Sequence, residues 1–220
     1  FADTEPTATN FTAGNELNVS TETYIAYVFA GGESEAATAR SVAFDGTSDR
    51  LTLAASTDFA FGTGDFTIEC WVKPSTGSNP DGVFNLGSTT GGLTTAYNLS
   101  MAHQGSAGDN KWRISYGAGT QLAATLTEPL TVGQWYHLAY VRASGVSKLY
   151  VDGIEKISVN DTTDYSYENL VIGGNYSASY LWKGDISNFR IVKGTAVYTS
   201  TFEPPTEPLT NITNTKLLCC

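Results

Sequence analysis

The stretch Asp65-Phe66-Thr67-Ile68-Glu69-Cys70-Trp71-Val72 decides the fold class. Phe66, Ile68, Cys70 and Val72 fall on one side of an extended chain, because side chains alternate along a strand. Residues 134–142 repeat the pattern, with Trp135, His137, Ala139 and Val141 facing one way and Tyr136, Leu138 and Tyr140 the other. Ser144-Gly145 turns the chain into a strand at 147–151, and Asp152-Gly153 is a hairpin signal that returns it through 154–159. Upstream, strands at 41–44 and 50–53 flank the turn Asp45-Gly46-Thr47-Ser48; downstream, 170–173 and 185–192 read as two more. The Gly-, Ser- and Asn-rich stretch 73–130 carries weaker strands around 96–101, 111–116 and 121–126. No window shows the 3.6-residue period of an amphipathic helix. Short alternating strands between frequent turns predict an all-β fold, a two-sheet antiparallel jelly-roll sandwich.

Residues 1–40 differ from the rest. The apolar run Thr23-Tyr24-Ile25-Ala26-Tyr27-Val28-Phe29-Ala30 reads as one extra strand, too short to build its own core, followed by a linker beginning Gly31-Gly32. It is expected to end a preceding domain or to pair between subunits. The sandwich is expected over 41–205, with 206–220 as a tail leading towards a further region. The chain opens on Phe1 without a leader pattern, which reads as a processed product or a piece of a longer one.

The formal net charge of -10 sets an acidic surface against phosphate backbones and anionic lipid, so neither nucleic acid nor a membrane is an expected partner. No apolar run reaches the roughly 20 residues a spanning helix needs. Cys70 lies in a strand and Cys219 and Cys220 are adjacent, which makes neither a disulfide framework nor a zinc pattern.

Five blocks resemble, in order, those of laminin-G-like, concanavalin-A-like lectin and glucanase domains. They are Ser41-Val42-Ala43-Phe44-Asp45-Gly46, residues 65–72, Trp135-Tyr136-His137-Leu138-Ala139, Lys148-Leu149-Tyr150-Val151-Asp152-Gly153 and Gly184-Asp185-Ile186-Ser187-Asn188-Phe189-Arg190-Ile191. The segment Gly194-Thr195-Ala196-Val197-Tyr198 through Phe202-Glu203-Pro204-Pro205, with the ending Thr215-Lys216-Leu217-Leu218-Cys219-Cys220, is similar to the variant found in tailed-phage structural proteins, marine ones especially. The resemblance implies a virion or extracellular module, a homo-oligomer with other virion subunits as partners.

Laminarinase-type hydrolases of the same superfamily carry their acids as E-x-D-x-x-E on one strand. No such pattern occurs here: Glu69 stands alone on its strand, and Asp161 and Asp164 lie in a loop. His103 and His137 are the only histidines, and His137, in a strand block, reads as a packed, hydrogen-bonded residue. No nucleophile elbow, phosphate loop or zinc-protease motif appears, so a non-catalytic domain is expected.

Three binding features remain. The resemblance implies a structural Ca²⁺ at the sandwich edge, with Asp45 and Asp49 as the nearest match and Asp185 as a further oxygen; the alternative is that Asp45 caps its own turn. For glycans, Tyr165, Tyr167, Tyr176, Tyr180 and Trp182 crowd one stretch with Asn175, Asn169 and Asp164, and Trp112 and Tyr116 stand near Asn110. Exposed rings stack on sugars and amides bind their hydroxyls; the alternative is that the rings pack the core or an interface. The N-x-S/T triplets at Asn10, Asn18, Asn98, Asn160, Asn175 and Asn211 are what chance gives in a Ser/Thr-rich chain.

Overall fold

The computed structural model describes residues 41–76, 81–87, 99–104, 111–116, 120–124 and 131–219. The expected strand at 23–30, Asn98, Asn110 and Cys220 lie outside them. Among the described residues thirteen strands are formed: β1 (Val42–Asp45), β2 (Leu51–Thr52), β3 (Phe66–Pro74), β4 (Asp81–Leu86), β5 (Leu99–Gln104), β6 (Lys111–Tyr116), β7 (Thr120–Ala124), β8 (Tyr136–Ala143), β9 (Val146–Val151), β10 (Ile154–Asn160), β11 (Leu170–Ile172), β12 (Lys183–Lys193) and β13 (Thr215–Cys219).

They build two antiparallel sheets. One runs β1-β12-β3-β8-β9-β10, with β13 also on β12; the other runs β2-β11-β4-β5-β6-β7. The alternation read in the sequence is the reason they stack. Phe66, Ile68, Cys70 and Val72 of β3 and Leu138 and Tyr140 of β8 point into the shared core and are fully buried. They meet Phe84, Leu86, Met101, Trp112 and Ile114 of the other sheet there. Burying each large apolar side chain contributes about 1.5–3 kcal/mol.

Two features depart from expectation. The sequence gives no sign of β4, yet it is an interior strand between β11 and β5 with all six residues buried. Residues 215–219, expected in a tail leading away, form β13 on β12, with Phe189 opposite Cys219 and Ile191 opposite Leu217. β12 is long enough, at 11 residues, to hold β1 along its first half and β13 along its second.

Between β12 and β13 the chain crosses the outer face of the larger sheet as a strap. Gly194 N donates to Asp65 O, Val197 N to Thr67 Oγ1, and Phe202 N to Gly153 O. Tyr198 and Phe202 stack with ring centres 3.7 Å apart and lie on Ala139, Val141 and Tyr150. Only glycine fits at 153, where φ is +74° and a Cβ would stand 1.8 Å from the Phe202 carbonyl oxygen.

Beneath the strap lies Glu69, fully buried. Its Oε1 accepts from Arg190 Nε (2.9 Å) and Nη2, and its Oε2 from Tyr198 Oη (2.8 Å) and His137 Nε2 (3.2 Å). Burial alone would raise the Glu69 pKa; the His137 hydrogen bond, the Arg190 charge and the Tyr198 hydroxyl outweigh it and hold the carboxyl below its usual range. His137 is buried and hydrogen-bonded, as its place in the strand block suggests.

Candidate functional site

The aromatic cluster read from the sequence does not come together. Tyr165 forms a bridge with Gly62 and packs against Phe66 at the start of β3, whereas Trp182 stacks on Trp112, which meets Tyr136 opposite Val72. The six residue-to-residue steps from Phe66 to Val72 span roughly 20 Å of extended chain. The two halves of the cluster therefore sit at opposite ends of the sandwich.

Burial corrects the cluster further. Tyr165 and Trp182 are core residues with no exposed surface, so neither ring is a platform for a sugar. Tyr165 Oη donates to Asp161 Oδ2 (2.9 Å), and that oxygen also accepts from Ser147 Oγ (2.7 Å), so Asp161 ties strand to loop. Trp112 is buried as well, and Tyr116 packs on the core. Asn175 is buried and staples its own loop: Nδ2 donates to Ser177 Oγ (2.9 Å), and Oδ1 accepts from Ser179 N (3.0 Å). Tyr167, Tyr176 and Tyr180 keep part of their surface.

At the end of the sandwich where β3 finishes, the loop 173–182 is fixed at several points. Trp182 N donates to Gly173 O (3.0 Å), Ala178 N to Asn175 O (3.2 Å), and Gly82 N of β4 to Tyr180 O (3.1 Å). The loop holds up the half-exposed Tyr176 and Tyr180 beside the exposed Ser177 and Ser179. Asp81 starts β4 beside it. It is 5% exposed, and its Oδ2 is buried with no hydrogen-bond partner among the described residues. Burial pushes its pKa up to about 7, against a smaller opposing pull from the Lys183 charge. Sequence reasoning missed Asp81, since Asp81-Gly82 looks like a turn.

The carboxylates expected to bind calcium are engaged elsewhere. Asp45 accepts five hydrogen bonds within its turn: three amides (Thr47, Ser48 and Asp49) on Oδ1, and the Thr47 and Ser48 hydroxyls on Oδ2. Led by the Ser48 amide and the Thr47 hydroxyl, these donors hold its pKa well below the usual carboxylate range. Asp49 Oδ2 accepts from Asp45 N (3.1 Å), and Asp185 Oδ2 pairs with Lys73 Nζ (2.8 Å). As placed, the three do not fit a shared cation, and among the described residues no three His, Cys, Asp or Glu side chains are grouped to hold one.

A sandwich of two antiparallel sheets is the architecture of many families, and a sequence match decides among them. Residues 45–197 match the family model described as the concanavalin A-like lectin/glucanases superfamily. The chain belongs to this superfamily. Solved structures agree in fold. A heptameric SAP-like pentraxin of Limulus polyphemus is 18% identical with a TM-score of 0.55, covering 72% of this chain and 77% of its own. Domain 4 of an extracellular arabinanase from Geobacillus stearothermophilus, solved with arabinotriose, is 20% identical with a TM-score of 0.53, covering 71% and 72%. A carbohydrate-binding domain of a Ruminococcus gnavus sialidase, bound to sialyllactose, is 13% identical with a TM-score of 0.50, covering 73% and 95%. No curated protein matches the chain. Glu69 is the acid on β3. It lies under the strap in an ion pair rather than at an open surface.

Proposed function

We propose that this chain is a non-catalytic, glycan-binding module of a virion or other extracellular surface. The observation that carries the reading is the stapled loop 173–182, which presents Tyr176 and Tyr180 with serine hydroxyls beside them. A pre-ordered aromatic loop loses little entropy on meeting a ligand, and tyrosine joins an apolar face to a polar tip. A superfamily of lectins and glucanases offers binding or hydrolysis. Hydrolysis needs two carboxyl groups flanking an accessible bond. Glu69 is enclosed and bound to Arg190, which favours binding.

The virion setting is supported by the likeness of 194–205 to tailed-phage structural proteins. There, several copies in a homo-oligomer raise avidity for weakly held glycans. The test is a glycan array probed with the native protein and with the double variant Tyr176→Ala/Tyr180→Ala, in calcium and in chelator. Saturable binding weakened by the double substitution, without release of reducing ends from polysaccharide, is expected. Calcium is expected to make no difference, because Asp45 already spends its oxygens on its turn. Silence on the array would leave a structural module whose rings serve subunit contacts.

A further inference from the structure

Residues 131–135 form the turn that leads into β8. Gly133 N donates to Pro74 O (2.8 Å), Thr131 N to Tyr136 Oη (2.8 Å) and Gln134 N to Thr131 O (3.3 Å). The Tyr136 ring meets the buried Trp112 edge-on at 6.0 Å, so the turn rests on the core. On this fixed base the structure exposes two apolar side chains, Val132 at 49% and Trp135 at 39%. The ammonium of Lys73 lies 5.2 Å from the indole centre and 2.8 Å from Asp185 Oδ2.

We propose that Trp135 is the stacking platform of a binding subsite for a neutral pyranose ring. Trp135 is the one aromatic ring in the exposed class among the described residues, and an indole face left in water offers a flat apolar surface for stacking. Its orientation is set in advance: Lys73 braces the ring by a cation–π contact, and Asp185 holds Lys73. A pyranose has an apolar face of C–H groups that suits an indole, and the exposed Thr131 and Gln134 on the same turn offer a hydroxyl and an amide to its hydroxyls.

Charge selects the kind of sugar. A sialylated or sulfated glycan needs an unpaired cation, and Lys73 is already neutralised by Asp185 in a chain of net charge -10. Among the described residues of this turn the exposed apolar surface is two side chains, a size that suits a single sugar ring. The subsite shares its ligand class with the reading of the Tyr176–Tyr180 loop, but it stands on a different element and on different residues.

The test is an array of neutral, sialylated and sulfated oligosaccharides, with intrinsic tryptophan fluorescence titrated against whichever oligosaccharides are retained. The native protein, Trp135→Ala, Trp135→Phe and Tyr176→Ala/Tyr180→Ala are compared, each with its melting midpoint. Retention of neutral glycans is expected. Trp135→Ala should weaken it at least about tenfold, the value of one good aromatic contact, and Trp135→Phe should weaken it less. Midpoints of both Trp135 variants should match the native one. Full binding by Trp135→Ala, with loss in the tyrosine variant, would overturn the Trp135 subsite and leave glycan binding standing. Retention of charged glycans alone would overturn the neutral ligand. No retention by the native protein would overturn both readings.

Discussion

Strand β3 has a cation over an aromatic ring at each end, and the two ends serve opposite purposes. At its start, the Arg142 guanidinium lies 5.0 Å from the Phe66 ring centre and 4.9 Å from that of Tyr165, fully buried. Its nitrogens donate to the carbonyls of Gly62, Gly64 and Thr163 at 2.6–2.8 Å. At the finish, Lys73 lies 5.2 Å from a Trp135 ring that is 39% exposed. The same contact type closes one end of the sandwich and leaves the other furnished for a ligand. What differs is whether the surrounding backbone consumes the polar groups. Three loop carbonyls converge on Arg142, whereas Lys73 has one carboxylate.

The comparison breaks most readily at the closed end. Arg142→Ala should strand three carbonyls and open a cavity beside Phe66 and Tyr165, costing at least about 3 kcal/mol. In a domain of this size that lowers the melting midpoint by roughly 6–12 °C. Scanning calorimetry checks it, and a midpoint within about 2 °C of native would show that the clamp carries little of the fold.

Midway along the same strand, Glu69 extends the test. Glu69→Gln leaves Arg190 buried beside a neutral amide, at a cost of roughly 3 kcal/mol. The native pH dependence follows from the direction of the shift. The folded-state pKa of Glu69 lies below its unfolded value, so its contribution is present above about pH 4.5 and is lost as pH falls through the folded value. Urea unfolding from pH 7 to pH 3 should show the gap between native and Glu69→Gln narrowing in acid. A constant gap would mean that the ion pair is not what the strap rests on.

These contrasts also explain what the sequence disclosed. Alternation revealed β3 and β8, turn signals at Ser144-Gly145 and Asp152-Gly153 bracketed β9, and β12 read as a further strand. β4 stayed hidden because Asp81-Gly82-Val83-Phe84-Asn85-Leu86 opens on turn-forming residues and sets two apolar residues side by side, so it shows no period of two. Glu69 was legible as a single strand acid without a catalytic partner. Its actual partners, His137, Arg190 and Tyr198, lie 68, 121 and 129 residues away, separations no local pattern bridges. Tyr165 and Trp182 looked like neighbours in a loop, but the short strand β11 separates them, and each turns inward at its own end of the sandwich. The exposed Trp135 was read as an ordinary member of an alternating strand; the turn just before that strand is what leaves it in water.

The smallest expected effect lies at the open end. Asp81 is a buried carboxylate with one oxygen unpartnered among the described residues, whereas each guanidinium nitrogen of Arg142 meets a carbonyl. Its folded-state pKa of about 7 lies above the unfolded value, so the folded chain binds this proton more tightly. Stability should then fall as pH rises from about 4 to about 7 and change no further through this group above that. Asp81→Asn removes the charge and should flatten the curve. The variant is expected to match the native protein at pH 4 and to exceed it by about 1–2 kcal/mol at pH 8, the larger figure that full burial would give being reduced for solvent near the loop. Parallel curves for the two proteins would mean that Asp81 finds a partner when ionised. The open end would then be as well satisfied as the closed one, and exposure of Trp135 alone would distinguish them.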